Sequence, residues 1–584
     1  MKKFSFLLAI LLLLSSVLMT ACNNKVPPSP PQGTTPNNTP EVTTPEPARP
    51  LLDPALSISV EQLENYEIIY ARESSKEVKS EVKNLLNAIY DSYDVLMGER
   101  SDLYYEGVET LAKGQYEILI GHTNREESNT LISALKWDDY GFGIVGDKLV
   151  IAGKTEDGNL AALRAFLEYV TAHKGDKTFF ANTDQTIVAY QYPFEEITIN
   201  GVAAGDLSIL CNNEALGGVA EHIRNAIIDA CGIALPILCD ADVEALKNVI
   251  VIGETAHIDV SAVQGEITDP TDGEYYINQL PNNVIWVNAK NASGYWSAAV
   301  QIARETSGKG AENVVLPKGA QDDSDVIAVM SFNLMAGIKV GDARVESVID
   351  TILKYHPSVV GVQEATDTWI GLIKQKLGDL YTVVGVGRNA DGGDEHSAIL
   401  YLTEEFECIE SGTKWLSYTP DVPGSKFLES HYTRIMTYAL LQRRSDGRQL
   451  LHVNTHLDYG STATEEQVKV DQLQVIFDQI AKFEDVSTVI TGDFNATVDS
   501  PAYQKMMDAG YFSAAKGDAY DSNANTYHGL MGTTGAPSHI DYVFVKNLDQ
   551  QFYDYRVITE RDGNENVSDH YPILALLSLH WAGK

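Results

Sequence analysis

Seven apolar, strand-like segments in the C-terminal part of the chain end beside residues that can transfer protons or bind metal. These residues are Asn333, Glu364, Glu395, His456, Asp493 with Asn495, Asp541, and Asp569 with His570. A carboxylate at a single strand end is usually a turn or cap residue. Seven such ends in one domain predict a shared cleft instead, because a rigid sheet holds the side chains at its strand ends in defined positions.

The residue types favour metal-assisted attack of water on a phosphoester. Hard cations such as Mg²⁺ prefer a few carboxylate oxygens together with water and phosphate oxygens. Histidines paired with carboxylates can hold imidazolium beside a phosphoryl group or pass protons. An aspartate can orient or deprotonate water, and an asparagine can donate to a phosphate oxygen. Neither a Ser or Cys nucleophile elbow nor a phosphate-cradling Gly-rich loop occurs in the sequence.

The order of these motifs resembles that of the endonuclease/exonuclease/phosphatase superfamily, which has the deoxyribonuclease I-like fold. The motifs are "SFNLM", "VGVQEAT", "GDEHSAILY", "VNTHLD", "ITGDFNAT", "HIDYVFV" and "SDHYP". The resemblance spans about residues 326–579. It implies an α/β fold, a four-layer sandwich with two central sheets and the active site at one end. It also implies a divalent cation, Mg²⁺ or alternatively Mn²⁺ or Ca²⁺, and a phosphoester substrate.

The resemblance assigns a role to each motif residue. Glu364, Asn333 and Asp569 are similar to the metal-binding residues. Glu395 is similar to a carboxylate that pairs with His456. Asp493 resembles the residue that activates water, Asn495 a phosphate contact, and Asp541 the partner of His570, which stabilises the transition state. Two further residues are candidates for substrate binding: Arg434, whose alternative is a surface ion pair, and His528, which precedes Asp541 in "NTYHGLMG".

One position departs from the pattern of several nucleases in the superfamily. They carry a second Asn or Asp two residues after the first Asn, where this chain has Met335. This difference argues against an abasic-site endonuclease. The signatures of inositol 5-phosphatases are also absent from the sequence.

Two α/β units with similar patterns precede this domain, and we predict them at residues 57–192 and 197–318. Each has a strand and an amphipathic helix, an apolar strand ending in Ile-Gly-x-Thr, a hairpin and a second helix. The hairpin turns are "VGDKL" and "LPNNVI". Chance similarity of two unrelated α/β units is the alternative. The polar segment Val314–Asp325 is interpreted as the link to the last domain, residues 325–584.

The first unit resembles a small accessory domain at the N-terminus of some carbohydrate-active enzymes, through "EILIGHTNRE" and "LVIAGKTEDGNLAALRAFLEY". Neither unit has convergent acids, His pairs or phosphate loops. A second functional hypothesis follows, in which the chain is a surface protein whose repeats bind carbohydrate or a cell-surface partner.

The N-terminus has the pattern of a bacterial lipoprotein signal. Two lysines precede an apolar run that is too short to span a membrane, and "LMTA" precedes Cys22. The lipobox resemblance implies cleavage after residue 21 and lipid on Cys22, so residues 1–22 are predicted to be the signal and its anchor. The Pro- and Thr-rich residues 23–55 are predicted to form a disordered tether. The protein would then lie outside the cytoplasm, held at the cell membrane by its lipid.

Composition narrows the range of partners. The chain has 584 residues and a formal net charge of -38. Such a charge repels phosphate backbones, so we expect no broad nucleic-acid binding. Small or membrane-presented phosphoesters are favoured over DNA, and a secreted nuclease of the same fold remains an alternative. Four cysteines follow Cys22, which is too few for a disulfide scaffold.

Overall fold

The computed structural model describes residues 52–102, 114–258, 275–308, 312–321, 326–338, 342–515, 525–529, 538–548, 552–559, 561–562 and 565–579. These residues form two compact units, which divide after Pro193. The predicted lipid attachment at Cys22 and nearly all of the predicted tether lie outside the described residues. In the described part of the chain, no helix has the length and apolar character needed to cross a membrane.

The N-terminal unit is built on a six-stranded sheet with strand order β3-β2-β4-β6-β5-β8. Its strands are β1 Ser57–Ser59, β2 Glu67–Tyr70, β3 Gly98–Ser101, β4 Glu117–Ile120, β5 Tyr140–Val145, β6 Lys148–Gly153, β7 Thr178–Ala181 and β8 Thr186–Val188. Its helices are α1 Val60–Leu63, α2 Lys76–Tyr93, α3 Glu126–Ser133 and α4 Glu156–Ala172. The N-caps of α2 and α4 are Ser75 and Thr155, whose side chains each accept a backbone N–H from the first turn.

A buried ion-pair cluster surrounds Glu117, the first residue of β4, whose side chain is 1% exposed. Its carboxylate accepts two hydrogen bonds from Arg125, at 2.9 and 2.8 Å, and lies 3.1 Å from the ammonium of Lys148. Burial by itself raises the pKa of Glu117, but the hydrogen bonds from Arg125 and Lys148 outweigh it and lower the pKa to about 2.

The N-terminal unit is therefore expected to lose stability as the pH falls from about 5 towards 2. A carboxylate whose pKa is lower in the folded state than in the unfolded state stabilises the fold at pH values above its unfolded-state pKa. Protonation of Glu117 at lower pH removes roughly 3 kcal/mol of this stability. Glu117→Gln should abolish this pH dependence, whereas Glu64→Gln, at an exposed position, should preserve it. Hydrogen exchange of the β4 peptide across this pH range provides the measurement. Equal pH dependence in wild type and Glu117→Gln would contradict the assignment.

The second unit begins with another six-stranded sheet, with strand order β12-β11-β13-β15-β14-β17. The part of this unit up to residue 321 has the strands β9 Thr198–Ile199, β10 Val202–Ala203, β11 Ser208–Cys211, β12 Ile237–Leu238, β13 Val249–Ile252, β14 Tyr275–Leu280, β15 Val284–Ala289, β16 Asn313–Val314 and β17 Gly319–Gln321. Among them, β9, β10 and β16 form a separate three-stranded sheet. Its helices are α5 Gly217–Cys231 and α6 Ala292–Ser307. The order and the directions of the strands match those of the first sheet, element by element. Duplication as the origin of this likeness stays a prediction.

The segment interpreted as a link carries structure of its own. Val314 ends β16, and Gly319–Gln321 forms β17, which pairs with β14 at the edge of the second sheet. The sequence signal for strands is weak here, because β16 and β17 are short edge strands without a continuous apolar run. The segment therefore completes the second sheet as well as leading to the last domain.

The last domain contains two six-stranded sheets, β20-β21-β19-β18-β31-β28 and β22-β23-β24-β25-β27-β26. The strands are β18 Val326–Asn333, β19 Val359–Ala365, β20 Tyr381–Val384, β21 His396–Leu402, β22 Phe406–Trp415, β23 Ile435–Arg443, β24 Gln449–His456, β25 Ser487–Asp493, β26 Phe512–Ser513, β27 Asp541–Lys546, β28 Phe552–Val557, β29 Arg561–Asp562, β30 Glu565–Asn566 and β31 Ile573–Ser578. The helices are α7 Ala343–Tyr355, α8 Asp367–Leu377, α9 Ala463–Ile480 and α10 Pro501–Asp508.

These elements form four layers, as predicted. One apolar cluster joins the facing sides of the two sheets, for example Val329 with Val489 and Val543. Helices α7 and α8 cover the outer side of the first sheet, and α9 and α10 cover that of the second. Continuous apolar strands such as β18 fit this arrangement, because they are buried on both faces.

The second α/β unit, predicted at residues 197–318, shares one hydrophobic core with the last domain. Side chains of α5 and α6 belong to the same buried cluster as those of α7 and β18. Polar contacts reinforce the junction: Glu221 on α5 accepts from Lys354 at 2.7 Å and from the Tyr355 hydroxyl at 2.8 Å. Ser293 on α6 donates to the carbonyl of Val326 at 2.6 Å. Residues 194–579 therefore belong to one compact unit, in which the second α/β unit supports the sheet that contains β18.

The four cysteines after Cys22 all lie in described segments, and no disulfide joins them. They are Cys211, Cys231, Cys239 and Cys408.

Candidate active site

Three neighbouring strands of the second sheet of the last domain bring three of the predicted residues side by side. In the register of β24, β25 and β27, His456 lies opposite Asp493, and Asp493 lies opposite Asp541. All three side chains are buried. The sequence shows these residues more than 30 positions apart, and only the strand order β24-β25-β27 makes them neighbours.

The first sheet supplies the facing wall through Asn333 and Glu364. Asn333 ends β18 and pairs in register with Gln363 on β19. A bulge between Val362 and Ala365 interrupts the pairing of β19 with β21, and Glu364 there has φ 55°. Left-handed backbone at a non-glycine residue costs of order 1–3 kcal/mol and is retained where a bulge re-aims a functional side chain. Asn333 Nδ2 donates to Glu364 at 3.2 Å, which fixes the carboxylate.

Asp493 lies at the centre of the site. Its carboxylate accepts from Asn333 Nδ2 at 3.1 Å and from the backbone N–H of Asn495 at 2.9 Å. It also lies 3.4 Å from His456 Nε2 and 3.7 Å from His570 Nε2. Burial and the neighbouring charge of Asp541 raise the pKa of Asp493 to about 7, although His570 and the Asn495 N–H lower it. A carboxylate with this pKa is suited to accept a proton from water near neutral pH.

His570 forms a buried pair with Asp541, at 2.8 Å between Nδ1 and the carboxylate. Burial alone lowers the pKa of His570, but the carboxylates of Asp541 and Asp493 raise it to about 10. The ring is therefore an imidazolium at neutral pH, with Nδ1–H donated to Asp541 and Nε2–H directed towards Asp493. It can donate a charged hydrogen bond to an anion bound beside Asp493.

His456 is the neutral counterpart of His570. Burial, with the nearby positive charges of Arg434 and His570, lowers its pKa well below the usual value. Nε2 accepts from Asn495 Nδ2 at 3.1 Å, so the proton is on Nδ1. Asn495 itself has φ 47°, and its amide also donates to the carbonyl of Leu457 at 3.2 Å. These bonds fix the asparagine beside Asp493.

The hydrogen bond expected between Glu395 and His456 is not formed among the described residues. Glu395 instead accepts from Arg388 Nη1 at 2.6 Å, and Arg388 Nε donates to Asp394 at 2.9 Å. The sequence interpretation did not include Arg388, although it lies only seven residues before Glu395. The guanidinium competes for the carboxylate because a donor with a fixed charge is a stronger partner than a neutral imidazole.

Arg434 lies inside the site and is not part of a surface ion pair, since its side chain is 5% exposed. Its nearest carboxylate, Asp458, is 3.7 Å away, and within the described part of the chain Nε has no hydrogen-bond acceptor. Burial lowers the pKa of Arg434, opposed by the charges of Asp458, Asp493 and Glu395. A buried guanidinium with an unused donor beside Asp493 is suited to bind an anionic oxygen.

The segment 567–570 connects both walls of the site. Ser568 Oγ donates to the carbonyl of Asn333 at 2.7 Å and accepts from the His570 N–H. Asp569 is half-buried: burial and the charge of Glu364 raise its pKa, and His570 lowers it. The backbone N–H of His528 donates to the carbonyl of Asp569 at 3.0 Å, and the His528 ring packs on Tyr571 at 4.1 Å. His528 thus reaches the site through the backbone of Asp569.

The donor set fits a hard divalent cation. Glu364 raises the pKa values of both Asp493 and Asp569, which places three carboxylates within electrostatic reach of one another. A cation would relieve this repulsion, and carboxylate and amide oxygens are the ligands that Mg²⁺ prefers. Asp493, Asp541 and His570 also have ligand atoms within 4.8 Å of one another. We interpret that group as a hydrogen-bonded Asp541–His570 pair beside the base Asp493 and not as a metal site, because His570 Nδ1 and the Asp541 carboxylate are already hydrogen-bonded to each other.

Two supporting residues escaped the sequence interpretation because they lie on helices, away from the motifs. Lys469 on α9 is fully buried and donates to the carbonyls of Gly460 and Asn495, at 2.9 and 2.8 Å. Arg344 on α7 donates to backbone carbonyls of both the Asn333 loop and the segment before Ser568. A buried lysine in a helix pattern is the one signal that could have identified Lys469.

Residues 330–570 match the model described as "Endonuclease/Exonuclease/phosphatase family". Similar solved structures include an endonuclease/exonuclease/phosphatase from Bacteroides vulgatus, 24% identical, which covers 44% of this chain and 99% of its own, with a TM-score of 0.39. A mannosyl-6-phosphatase from Bacteroides thetaiotaomicron is 24% identical over 43% of this chain and 99% of its own, with a TM-score of 0.37. A protein of unknown function from Enterococcus faecalis is 23% identical over 43% and 100%, with a TM-score of 0.38. The curated proteins include none that matches the sequence.

Proposed function

Residues 330–570 belong to the endonuclease/exonuclease/phosphatase family of metal-dependent phosphoesterases, and from this premise we propose that the protein hydrolyses a small phosphoester by direct attack of water. The observation that carries the proposal is the central position of Asp493. A carboxylate suited to accept a proton lies within 4 Å of an imidazolium and beside a buried guanidinium with an unused donor. General base, charged donor and anion contact are the groups that this reaction requires.

Each side chain has a defined task in this mechanism. Glu364, with Asn333 and Asp569, would hold a divalent cation, which supplies Lewis-acid polarisation of the phosphoryl group when bound. Asp493 accepts the proton of the attacking water as the oxygen of that water bonds to phosphorus. The P–O bond to the alcohol breaks in the same reaction, and the departing alkoxide takes a proton from solvent water. The imidazolium of His570 is oriented by Asp541. It donates a hydrogen bond to a phosphoryl oxygen as negative charge develops on that oxygen. Arg434 donates to another phosphoryl oxygen, and His456 with Asn495 lines the site as neutral donors and acceptors.

The substrate is proposed to be small or presented at a membrane. The net charge of -38 opposes the approach of a long polyanion, whereas one phosphoester can be neutralised locally by a cation, His570 and Arg434. We further propose that lipid on Cys22 tethers the protein outside the bacterial cytoplasm, on the basis of the N-terminal pattern. Carbohydrate or cell-surface binding by the N-terminal repeats is proposed only as an addition to hydrolysis.

Hydrolysis is expected to depend on a divalent cation, and Glu364→Gln is expected to raise the Mg²⁺ concentration needed for half-maximal activity about tenfold to a hundredfold. The amide keeps the shape of the side chain but removes a charged oxygen from the residues proposed to hold the cation. The measurement is a Mg²⁺, Mn²⁺ and Ca²⁺ titration of chelator-treated protein on a panel of phosphomonoesters and phosphodiesters.

Glu407→Gln is the matched control, because Glu407 is an exposed glutamate of the same domain on β22. It should leave the metal titration unchanged. Protein that hydrolyses no member of the panel with any of the three metals would refute the proposed function.

A further inference from the structure

An aromatic pair lies at the rim of the site and has no task in the hydrolysis described above. Tyr432 and Tyr459 have ring centroids 5.7 Å apart, and 47% and 44% of their surfaces are exposed. His431 packs against Tyr459, with ring centroids 4.4 Å apart. Both tyrosines are half-exposed, so part of each ring is accessible to a ligand. The three side chains will be called the aromatic rim.

The aromatic rim is connected to the catalytic residues through two arginines. The guanidinium carbons of Arg388 and Arg434 each lie 5.3 Å from the centroid of the Tyr432 ring. Arg388 bonds Glu395, and Arg434 is the buried cation beside Asp493. A phosphoryl group bound by Arg434 therefore has Tyr432 as a direct neighbour of the guanidinium that binds it.

Asp458 fixes the aromatic rim to the strand that carries His456. Its carboxylate, 2% exposed, accepts from the backbone N–H groups of His431 and Tyr432, at 2.6 and 3.3 Å. Its own N–H donates to Gln472 on α9 at 2.9 Å. Tyr459 follows Asp458 directly in the chain. Both tyrosines are thus positioned by one buried residue, two positions after His456, and are preorganised before a substrate arrives.

We propose that the aromatic rim binds the part of the substrate beyond the phosphoryl group, and that this part is a ring with a flat face. This inference rests on the proposed function and names the substrate class of the same site. The apolar C–H face of a sugar and the π face of a nucleobase share the required chemistry, because both stack on tyrosine. An acyclic alcohol such as glycerol offers no such face.

The test compares kcat/KM for three esters with the same phosphoryl chemistry: a hexose 6-phosphate, a nucleoside 5′-monophosphate and glycerol 3-phosphate. Corresponding methyl diesters serve if the enzyme hydrolyses diesters. Wild type should prefer at least one ring ester to the glycerol ester about tenfold. The double variant Tyr432→Ala/Tyr459→Ala should lose this preference, because its kcat/KM should fall about tenfold more for the ring ester than for the glycerol ester.

Two further variants separate stacking from folding. Tyr432→Phe/Tyr459→Phe keeps both rings and should restore the preference. Tyr90→Ala removes a tyrosine with the same exposed fraction, 47%, from the N-terminal unit and should change neither ester. Saturation-transfer NMR on the Asp493→Asn protein should show ring protons of the preferred ester in contact with protein, and the double alanine variant should lose this signal.

The possible results test the ring inference and the proposed hydrolysis separately. Preference for the hexose ester or for the nucleotide identifies which ring the rim binds, and either supports the inference. Equal turnover of ring and glycerol esters by wild type, or a preference that survives loss of both rings, would overturn the ring inference while leaving hydrolysis established. Absence of hydrolysis of every ester with every metal would overturn the proposed function itself.

Discussion

Exchange of Asp493 for asparagine is expected to lower kcat about a thousandfold. Asn keeps the volume and can retain one oxygen acceptor, but it cannot take a proton from water. Base catalysis by a positioned carboxylate contributes about 10²–10⁴. Asp493 also provides part of the negative charge that keeps His570 an imidazolium, so its loss weakens the charged donor opposite the phosphoryl group. KM should change far less than kcat, because the lost interactions belong mainly to the transition state.

The measurement is kcat at saturating metal, so that weakened cation binding does not account for the loss. Asp499→Asn is the matched control: the same exchange six residues later, at an exposed turn position. It should leave kcat within twofold. Asp499 does not cap α10, because the N-cap is Ser500, whose side chain accepts from the Tyr503 N–H at 3.1 Å. A kcat within tenfold of wild type for Asp493→Asn would show that another group activates water.

The location of the site was predictable because its residues end apolar strands. The run "STVITGD" is rich in β-branched residues, which favour a strand, and it is too short for a helix. Its terminal carboxylate therefore marks the edge of a sheet. His456, Asp493 and Asp541 fit this pattern and lie on three adjacent strands. What periodicity cannot supply is the order of those strands, since that depends on contacts between segments far apart in the chain.

Side-chain partners were less predictable than positions. Glu395 and Arg388 lie on a loop whose turn depends on left-handed backbone at Gly392 and Asp394, with φ 81° and 78°. A resemblance in motif order assigns Glu395 a role but carries no information about this loop. The aromatic rim illustrates the same limit, because Tyr432 and Tyr459 lie in segments without a motif and meet only through Asp458.

The extent of the last domain was also underdetermined by its motifs. They begin at β18, and the preceding polar segment resembles a link. In the structure α6 packs on β18, the strand that ends at Asn333, and one core continues from α5 to α7. Burial of this kind is invisible in the sequence, because an amphipathic helix shows its apolar face without showing which element covers it. The wall of the site formed by Asn333 and Glu364 is therefore supported partly by the second α/β unit.

Glu221→Ala is expected to destabilise this compact unit by about 3 kcal/mol, the cost of breaking a buried ion pair from one side. Glu221 is 10% exposed and serves two donors, the ammonium of Lys354 and the hydroxyl of Tyr355. Alanine removes the carboxylate that both groups share at the junction of α5 and α7. Because β18 belongs to the same core, the loss should spread to Asn333 and raise the metal requirement of the enzyme.

Glu346→Ala provides the comparison, since Glu346 binds Lys376 at the same distance of 2.7 Å but is 63% exposed. Exposed ion pairs contribute about 0–1 kcal/mol to stability, so the free energy of unfolding of this variant should be close to that of wild type. Urea unfolding of the full chain gives the difference, and hydrogen exchange of α5, α7 and β18 peptides locates it. Faster hydrogen exchange of α5 alone in Glu221→Ala would mean that the second α/β unit unfolds independently of the sheet that contains β18. Faster exchange in all three, with an unchanged Glu346→Ala profile, is the result that a single shared core requires.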